Sequence, residues 1–167
     1  MNQVEIERKY IIKMPDIDAI SKQPGYSHSE IVQTYLAGGA GEVRRVRERS
    51  YPHGTVYTET VKVRIDKISS EEREREISES EYRELLLDIK PGTRAIKKTR
   101  HTFPYGEITV EIDVYAEWER SCIMEIELPG REYIPKIPSF IKILCEVTGE
   151  WKYSNAAMAA AFPSEII

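Results

Sequence analysis

The sequence has little cysteine and little histidine. Two cysteines, Cys122 and Cys145, and three histidines occur among 167 residues, and none of them falls in a CxxC motif or another metal-ligand spacing. We therefore expect no zinc site, and we interpret both cysteines as small core or surface residues.

Long apolar segments are also missing. No stretch approaches the ~18 apolar residues of a transmembrane helix, and the N-terminal ten residues lack the apolar core of a signal peptide. The 41% hydrophobic and 31% charged residues make the chain too apolar for disorder and too charged for a membrane span. We expect a cytoplasmic protein with no membrane partner, folded as a single domain over residues 1–167.

An excess of positive charge is absent as well. The 24 basic and 28 acidic residues give a formal net charge of −4, which argues against general nucleic-acid binding by bulk electrostatics. Exposed aromatic residues do not interleave with basic ones as stacking on single strands would require. No nucleic-acid partner is expected. A GxxxxGK phosphate loop is also missing, so any phosphate must be bound by side chains.

Alternation of apolar and polar residues with a period of two extends over most of the chain and predicts a mainly antiparallel β protein of the α+β class. The predicted strands are 3–12, 28–37, 43–50, 55–66, 71–77, 94–103, 107–117 and 121–128. Hairpin turns are predicted at GGAG 38–41, PHG 52–54 and PYG 104–106. Short helices are predicted near 15–21, at 78–89, near 138–145 and at 155–162.

Charged residues of one sign recur at alternate positions within these strands. Some strands carry acidic pairs, such as Glu5 and Glu7, and others carry basic pairs, such as Arg45 and Arg47. Alternate side chains of a strand share one face, so like charges are brought together. One interpretation is an ordinary solvated sheet face. The other is a barrel with a charged interior, in which a divalent cation compensates the acids and a polyanion compensates the bases.

Several motifs follow one another in a fixed order along the chain. They are ExExK at Glu5, Glu7 and Lys9, Gln33 and Tyr35 in QTYL, Arg45 and Arg47, Thr60 and Lys62, Glu72 and Glu74, Lys98 and Arg100, EIDVY at 111–115, EIEL at 125–128, and EVTGEWKYSN at 146–155. This ordered set resembles the CYTH superfamily, also called triphosphate tunnel metalloenzymes. Within that superfamily it resembles the short bacterial form, and in particular the inorganic triphosphatases.

The resemblance implies an eight-stranded, closed, tunnel-like antiparallel barrel, open at both ends, with a charged interior and a few helices packed outside. It also implies a metal-dependent triphosphatase that uses Mg²⁺ or Mn²⁺ and binds a triphosphate-containing small molecule. The residues implied to hold the metal are Glu5, Glu7, Glu72, Glu74, Asp113, Glu125 and Glu127. Those implied to bind phosphate are Lys9, Arg45, Arg47, Lys62, Lys98 and Arg100, and Lys9 and Tyr35 would orient the attacking water.

Several questions stay open at the level of the sequence. Glu76 lies on the same strand face as Glu72 and Glu74, so the metal-side pair depends on register; we prefer Glu72 and Glu74. Ser70 stands where the family often has an arginine.

The alternatives to inorganic triphosphate are nucleoside or thiamine triphosphate, adenylate cyclase activity, or noncatalytic binding of polyphosphate or nucleotide. An organic group would need an aromatic contact, for which Tyr51, Tyr57 and Trp118 are candidates. A homodimer is compatible with the sequence.

Overall fold

The computed structural model describes residues 2–166. Within this range the strands are β1 (Asn2–Lys13), β2 (Ser27–Leu36), β3 (Glu42–Tyr51), β4 (Gly54–Arg64), β5 (Ser69–Ile77), β6 (Ile96–Tyr105), β7 (Ile108–Val114), β8 (Ser121–Glu127) and β9 (Ile143–Glu146). The helices are α1 (Ile17–Ser21), α2 (Glu79–Leu85) and α3 (Asn155–Ala160), with 3₁₀ turns at Leu86–Asp88 and Trp151–Tyr153. No helix between residues 2 and 166 is long and apolar enough to cross a membrane.

Eight of the strands form a closed antiparallel barrel, as predicted. The strand order is β5-β4-β3-β2-β6-β7-β8-β1, and pairing between β1 and β5 closes the ring. The long first strand closes the ring, because its residues 2–6 pair with β5 and its residues 7–13 pair with β8. Closure pairs every strand of the ring with two neighbours, but the side of β1 that pairs with β5 at residues 2–6 is left unpaired by the ring farther along the strand. The ninth strand, β9, pairs with β1 at Tyr10–Ile12.

Apolar residues pack both outside the barrel and inside one end of it. Outside, Tyr10, Ile12 and Met124 form a core with Ile20 of α1. Inside, Ile11 and Ile123 lie on the strand face that also carries Lys9 and Glu125, and they pack with α3 in a second core. An apolar cluster thus lies inside the barrel beside α3, next to the charged residues of the same strand face.

One local prediction was wrong. Residues 138–145 were expected to form a helix but contain a turn at Pro138–Ile141 and then strand β9. Pairing of Ile143–Glu146 with β1 outweighs the local helical pattern, and the prolines at 135 and 138 disfavour a helix before it. The hairpin turn predicted from PYG at 104–106 is confirmed, because β6 ends at Tyr105, β7 begins at Ile108, and Gly106 in the turn has a φ of 61°.

Helix starts were predicted more accurately. Ser78 caps α2 by accepting a hydrogen bond from the Glu81 backbone N–H, and Ser154 caps α3 in the same way from Ala157. The helix predicted over 78–89 is shorter than expected, since it passes into a 3₁₀ turn at Leu86.

Candidate active site in the barrel interior

A cavity of about 420 Å³ occupies the polar part of the barrel interior. Every strand of the closed ring contributes side chains to its wall, and the segments 66–68 and 147–151 cover part of it. The charged side chains that line it from the strands are Glu5, Glu7, Lys9, Arg45, Arg47, Arg49, Lys62, Arg64, Glu72, Glu74, Lys98, Arg100, Glu111, Glu125 and Glu127. The charged strand face predicted from the sequence is therefore the interior of the barrel rather than its solvated outside.

The acidic side of the cavity is built by β1, β5, β7 and β8. Glu7 lies directly opposite Glu127 in the β1–β8 pair, and Glu111 lies directly opposite Glu125 in the β7–β8 pair. Like charges at such positions repel one another. Closure of the barrel then adds Glu72 of β5 to the carboxylates of β1. We call Glu5, Glu7, Glu72, Glu125 and Glu127 the acidic cluster.

Crowding of these carboxylates changes their protonation. Burial and then the charge of Glu72 raise the pKa of Glu5 to about 8. Burial and then the charge of Glu111 raise the pKa of Glu127 to about 7. Burial and the charge of Glu125 also raise the pKa of Glu7. Near neutral pH the acidic cluster therefore binds protons that isolated carboxylates would have lost.

Two lysines supply the positive charge within the acidic cluster. The Lys62 ammonium lies 3.2 Å from Glu72, 3.5 Å from Glu7 and 3.8 Å from Glu5. Burial opposes the charged form of Lys62, but the neighbouring carboxylates outweigh it and raise its pKa. The Lys9 ammonium lies 3.5 Å from Glu125. Both ammonium groups thus lie within salt-bridge distance of carboxylates of the acidic cluster.

Arginines form the opposite wall of the cavity. Arg47 donates two hydrogen bonds, of 3.1 and 3.2 Å, to the side-chain oxygen of Gln33. Burial and the charges of Arg45 and Arg100 lower the pKa of Arg47 to about 9. The Nε atom of Arg45 is buried and has no hydrogen-bond partner among residues 2–166. A buried donor without an acceptor costs free energy. The Nη2 atom of Arg45 lies 3.8 Å from Glu72, so the unmet acceptor is the one at Nε, where a ligand oxygen would gain a hydrogen bond.

Asp113 is not brought to the cavity wall. Its side chain is 1% exposed, and its oxygens accept hydrogen bonds from Lys98 at 2.6 Å and from Arg100 at 2.7 and 2.8 Å. Burial opposes its ionisation, but these two cations outweigh it and lower the pKa of Asp113 to about 2. The structure therefore separates Asp113 from the other predicted metal ligands. Glu111, two residues earlier on β7, lines the cavity in its place and pairs with Arg100.

Lys9 and Tyr35 both line the cavity but do not contact each other directly. The Lys9 ammonium donates to the backbone carbonyl of Tyr153 at 3.2 Å. The Tyr35 hydroxyl accepts a hydrogen bond of 2.9 Å from Gln33. No hydrogen bond joins Lys9 to Tyr35 in the described part of the chain. Their shared role with a water molecule stays a prediction.

The geometry also distinguishes the glutamates of β5. Glu72 and Glu74 line the cavity, and Glu74 accepts a hydrogen bond of 2.9 Å from the Thr60 hydroxyl. Glu76 does not line it and lies opposite Thr58 in the β4–β5 pair. The preferred pair, Glu72 and Glu74, is thus the pair at the cavity.

Sequence reasoning did not assign roles to several residues that the C-terminal segment brings to the site. Asn155 accepts a hydrogen bond of 3.1 Å from Lys98 and another of 3.2 Å from the Tyr115 hydroxyl. Thr148 accepts a hydrogen bond of 3.0 Å from the Lys9 backbone N–H. The motif at 146–155 was visible in the sequence and contains both residues. Its position in the fold depends on tertiary contacts, which the periodicity of the sequence does not predict.

The chemistry of the acidic cluster fits a hard divalent cation. Carboxylate oxygens are the ligands that Mg²⁺ and Mn²⁺ prefer. Burial, and then the charge of neighbouring carboxylates, raises the pKa values of Glu5 and Glu127. Within residues 2–166, however, no three Asp, Glu, His or Cys side chains are arranged to hold a metal ion. Lys62 instead lies between three of the carboxylates.

No family model matches the sequence, and comparison with curated proteins gives no significant match. Solved structures do match. The inorganic triphosphatase NE1496 is 26% identical with a TM-score of 0.58, covering 96% of this chain and 97% of its own. The conserved hypothetical protein Pfu-838710-001 from Pyrococcus furiosus is 22% identical with a TM-score of 0.60, covering 77% and 80%. A candidate adenylate cyclase from Vibrio parahaemolyticus is 16% identical with a TM-score of 0.52, covering 77% and 79%.

The closed antiparallel barrel with a charged interior is the triphosphate tunnel fold of the CYTH superfamily. Among proteins of this fold, the inorganic triphosphatase NE1496 resembles the chain over nearly the full length of both.

Proposed function

We propose that this protein hydrolyses a triphosphate, most favourably inorganic triphosphate, with the help of a divalent metal ion, and releases orthophosphate. The observation that carries the proposal is the distribution of charge in one cavity, to which β3, β4 and β6 contribute basic side chains and β1, β5, β7 and β8 contribute acidic ones, with Lys9 of β1 as the exception. Similarity to the inorganic triphosphatase NE1496 supports the same activity.

The basic wall would bind the phosphate chain. The buried Nε of Arg45, which has no partner in the described chain, would donate to a phosphate oxygen, and the guanidinium can bind such an oxygen pair in bidentate fashion. A bound anion would also relieve the repulsion among Arg45, Arg47 and Arg100, which adds to burial in lowering the pKa of Arg47. Asp113 would hold Lys98 and Arg100 in place from behind.

The acidic cluster would hold the metal ion. Its members come from β1, β5 and β8, so the site would exist only when the barrel is closed. When bound, a divalent cation polarises phosphoryl oxygens and neutralises charge that develops during phosphoryl transfer. Lys62 lies among these carboxylates and would bind phosphate oxygens close to them.

The reaction itself needs a positioned water molecule. Its oxygen would form a bond to the terminal phosphorus, the bond from that phosphorus to the bridging oxygen would break, and a carboxylate of the acidic cluster would take the proton. Lys9 and Tyr35, which both line the cavity, would orient the water. The diphosphate that leaves would be stabilised by the same arginines and lysines that bound the substrate.

Measurement of orthophosphate release tests the proposal. The purified protein is incubated with inorganic triphosphate, ATP or thiamine triphosphate, each with Mg²⁺, Mn²⁺ or EDTA. We expect release from inorganic triphosphate that depends on the metal, and near abolition of release in Glu127→Gln. Glu71→Gln is the matched control, because Glu71 does not line the cavity and lies beside Glu72 on the opposite strand face.

Two outcomes would contradict the proposal. Tight binding of triphosphate without hydrolysis of any of the three substrates would show a noncatalytic binder. Activity in Glu127→Gln equal to that of Glu71→Gln would exclude the role given to the acidic cluster. Circular dichroism of both variants establishes that they are folded.

A further inference from the structure

The side chain of Gln33 connects two parts of the cavity wall through one amide group. Gln33 lies on β2, is fully buried and lines the cavity. Arg47 lies directly opposite it on β3, and Tyr35 lies two residues along β2 on the same strand face. The amide oxygen accepts from Arg47 at 3.1 and 3.2 Å, and the amide nitrogen donates to the Tyr35 hydroxyl at 2.9 Å. One residue therefore links the basic wall to the hydroxyl group of Tyr35.

The orientation of the Gln33 amide is determined by Arg47. A guanidinium group has only donors, whereas an amide has an oxygen that accepts and an NH₂ group that donates. Turning the amide over would place its NH₂ group against two donors of Arg47, with no acceptor between them. The oxygen of Gln33 therefore points to Arg47, and its NH₂ group points to Tyr35.

This orientation determines how the Tyr35 hydroxyl can bind a ligand. Because its oxygen accepts a hydrogen bond from Gln33, its own hydrogen is not used in that contact. Arg45 lies directly opposite Tyr35 in the β2–β3 pair and likewise carries only donors. Within residues 2–166 the hydroxyl of Tyr35 donates to no acceptor. Its hydrogen is thus available to a ligand in the cavity that Tyr35 lines.

We propose that Gln33 is a positioning residue that keeps the Tyr35 hydroxyl as a hydrogen-bond donor towards a phosphate oxygen. The inference rests on the proposed function for the place of the phosphate chain. Charged phosphate oxygens are strong acceptors, and a donor that already points towards them needs no rearrangement when the ligand binds. Tyr35 then holds the phosphoryl group that the water attacks, and the proton of the water goes to a carboxylate of the acidic cluster rather than to Tyr35.

Substitutions at Gln33 and Tyr35 test the direction of these hydrogen bonds. Gln33→Glu keeps the shape and still accepts from Arg47, but its second oxygen also accepts from Tyr35 and turns the hydroxyl hydrogen away from the ligand. Gln33→Met keeps the length and removes the amide, which leaves that hydrogen free. Tyr35→Phe removes the hydroxyl. Gln23→Glu makes the same chemical change at a residue that does not line the cavity, and it is the matched control.

Hydrolysis of inorganic triphosphate with Mg²⁺ is measured for each variant, and kcat and KM are determined separately. We expect Gln33→Glu to lower kcat about 10- to 100-fold, as the loss of one hydrogen bond to a charged oxygen implies, and to lower it more than Gln33→Met does. The added negative charge on the basic wall should also raise KM. In the Tyr35→Phe background Gln33→Glu should change kcat by less than about twofold, because no hydroxyl is left to turn, while KM rises as before.

The comparison of backgrounds separates this role from a structural one. An equal effect of Gln33→Glu on kcat with and without the Tyr35 hydroxyl would overturn the inference. A larger loss of kcat in Gln33→Met than in Gln33→Glu would overturn it as well, because a side chain that only supports Arg47 predicts that order. Circular dichroism of all variants establishes that they are folded.

The same set of variants is also compared in calorimetric binding of methylene-bridged triphosphate, which cannot be hydrolysed at the bridged positions. Hydrolysis of inorganic triphosphate with additive effects of the two substitutions would refute the role of Gln33 and leave the triphosphatase standing. Binding without hydrolysis, in which Gln33→Glu weakens the affinity more in the presence of the Tyr35 hydroxyl than in its absence, would refute the triphosphatase and uphold the role of Gln33. The two failures are therefore distinguishable.

Discussion

The buried carboxylate of Asp113 gives the sharpest test of how this site is stabilised. Replacing it with asparagine keeps the shape of the side chain but removes its negative charge. Three charge-assisted hydrogen bonds of 2.6 to 2.8 Å to Lys98 and Arg100 are then lost or weakened. The side chains concerned are 1 to 7% exposed, so water cannot replace the missing partner.

The magnitude follows from the burial of these charges. Removing one partner of a buried ion pair costs about 3–5 kcal/mol, because the other charge is left uncompensated. For a chain of this size each kcal/mol lowers Tm by roughly 2–4 °C, so Asp113→Asn should lower it by roughly 6–20 °C. The pKa of Asp113 is about 2 in the folded protein, below the usual value for aspartate. Its own ionisation therefore contributes stability above about pH 4, and that contribution is lost as the pH falls towards 2.

Urea unfolding at pH 7, followed by circular dichroism, measures this cost. The control is Glu79→Gln, which removes the exposed Arg83–Glu79 pair, whose side chains are 69% and 55% exposed. That change should cost at most about 0.5 kcal/mol. A loss in Asp113→Asn below about 1 kcal/mol, similar to the control, would refute the buried-pair argument.

Two further predictions concern the glutamates of the cavity. In EDTA the free energy of unfolding should fall as the pH rises from about 5 to 8. The pKa of Glu5 is raised to about 8 and that of Glu127 to about 7, so the folded state loses, over this range, protons that it binds more tightly than the unfolded state does. Mg²⁺ should flatten this decline in thermal unfolding scans, and an unchanged slope would speak against a cation at the acidic cluster. Glu74→Gln should reduce orthophosphate release whereas Glu76→Gln should not, since Glu76 does not line the cavity; equal effects in the same assay would contradict this assignment.

The sequence predicted which strand face is charged, because alternate residues necessarily point to one side. Glu5, Glu7 and Lys9 all line the interior as expected. It could not predict how deep in the barrel each residue lies. Glu111 and Asp113 share one face of β7, yet Glu111 reaches the cavity and Asp113 lies behind it. That difference depends on strand tilt and on the partners across the interior, which a period of two does not encode.

The irregular segments were less predictable for a related reason. Trp151 and Asn155 belong to a motif that was visible in the sequence, but their positions depend on Gly149 packing against Lys67, a contact between distant parts of the chain. Strand β9 formed where a helix was expected because β1 offered an edge at Tyr10–Ile12. In both places tertiary contacts decided the structure, and local propensity did not.

The distribution of charge in the cavity favours a ligand that carries both signs. Among the described residues that line it, nine are acidic and nine are basic, so the wall is balanced overall. A bare polyanion would be attracted by the arginines but repelled by the acidic cluster. A bare cation would be attracted by the acidic cluster but repelled by the arginines. A polyanion with a chelated cation satisfies both walls at once, provided that the two signs are separated in the ligand as they are in the barrel. This is why the segregation of the charges, rather than their sum, supports a metal-bound triphosphate as the proposed substrate.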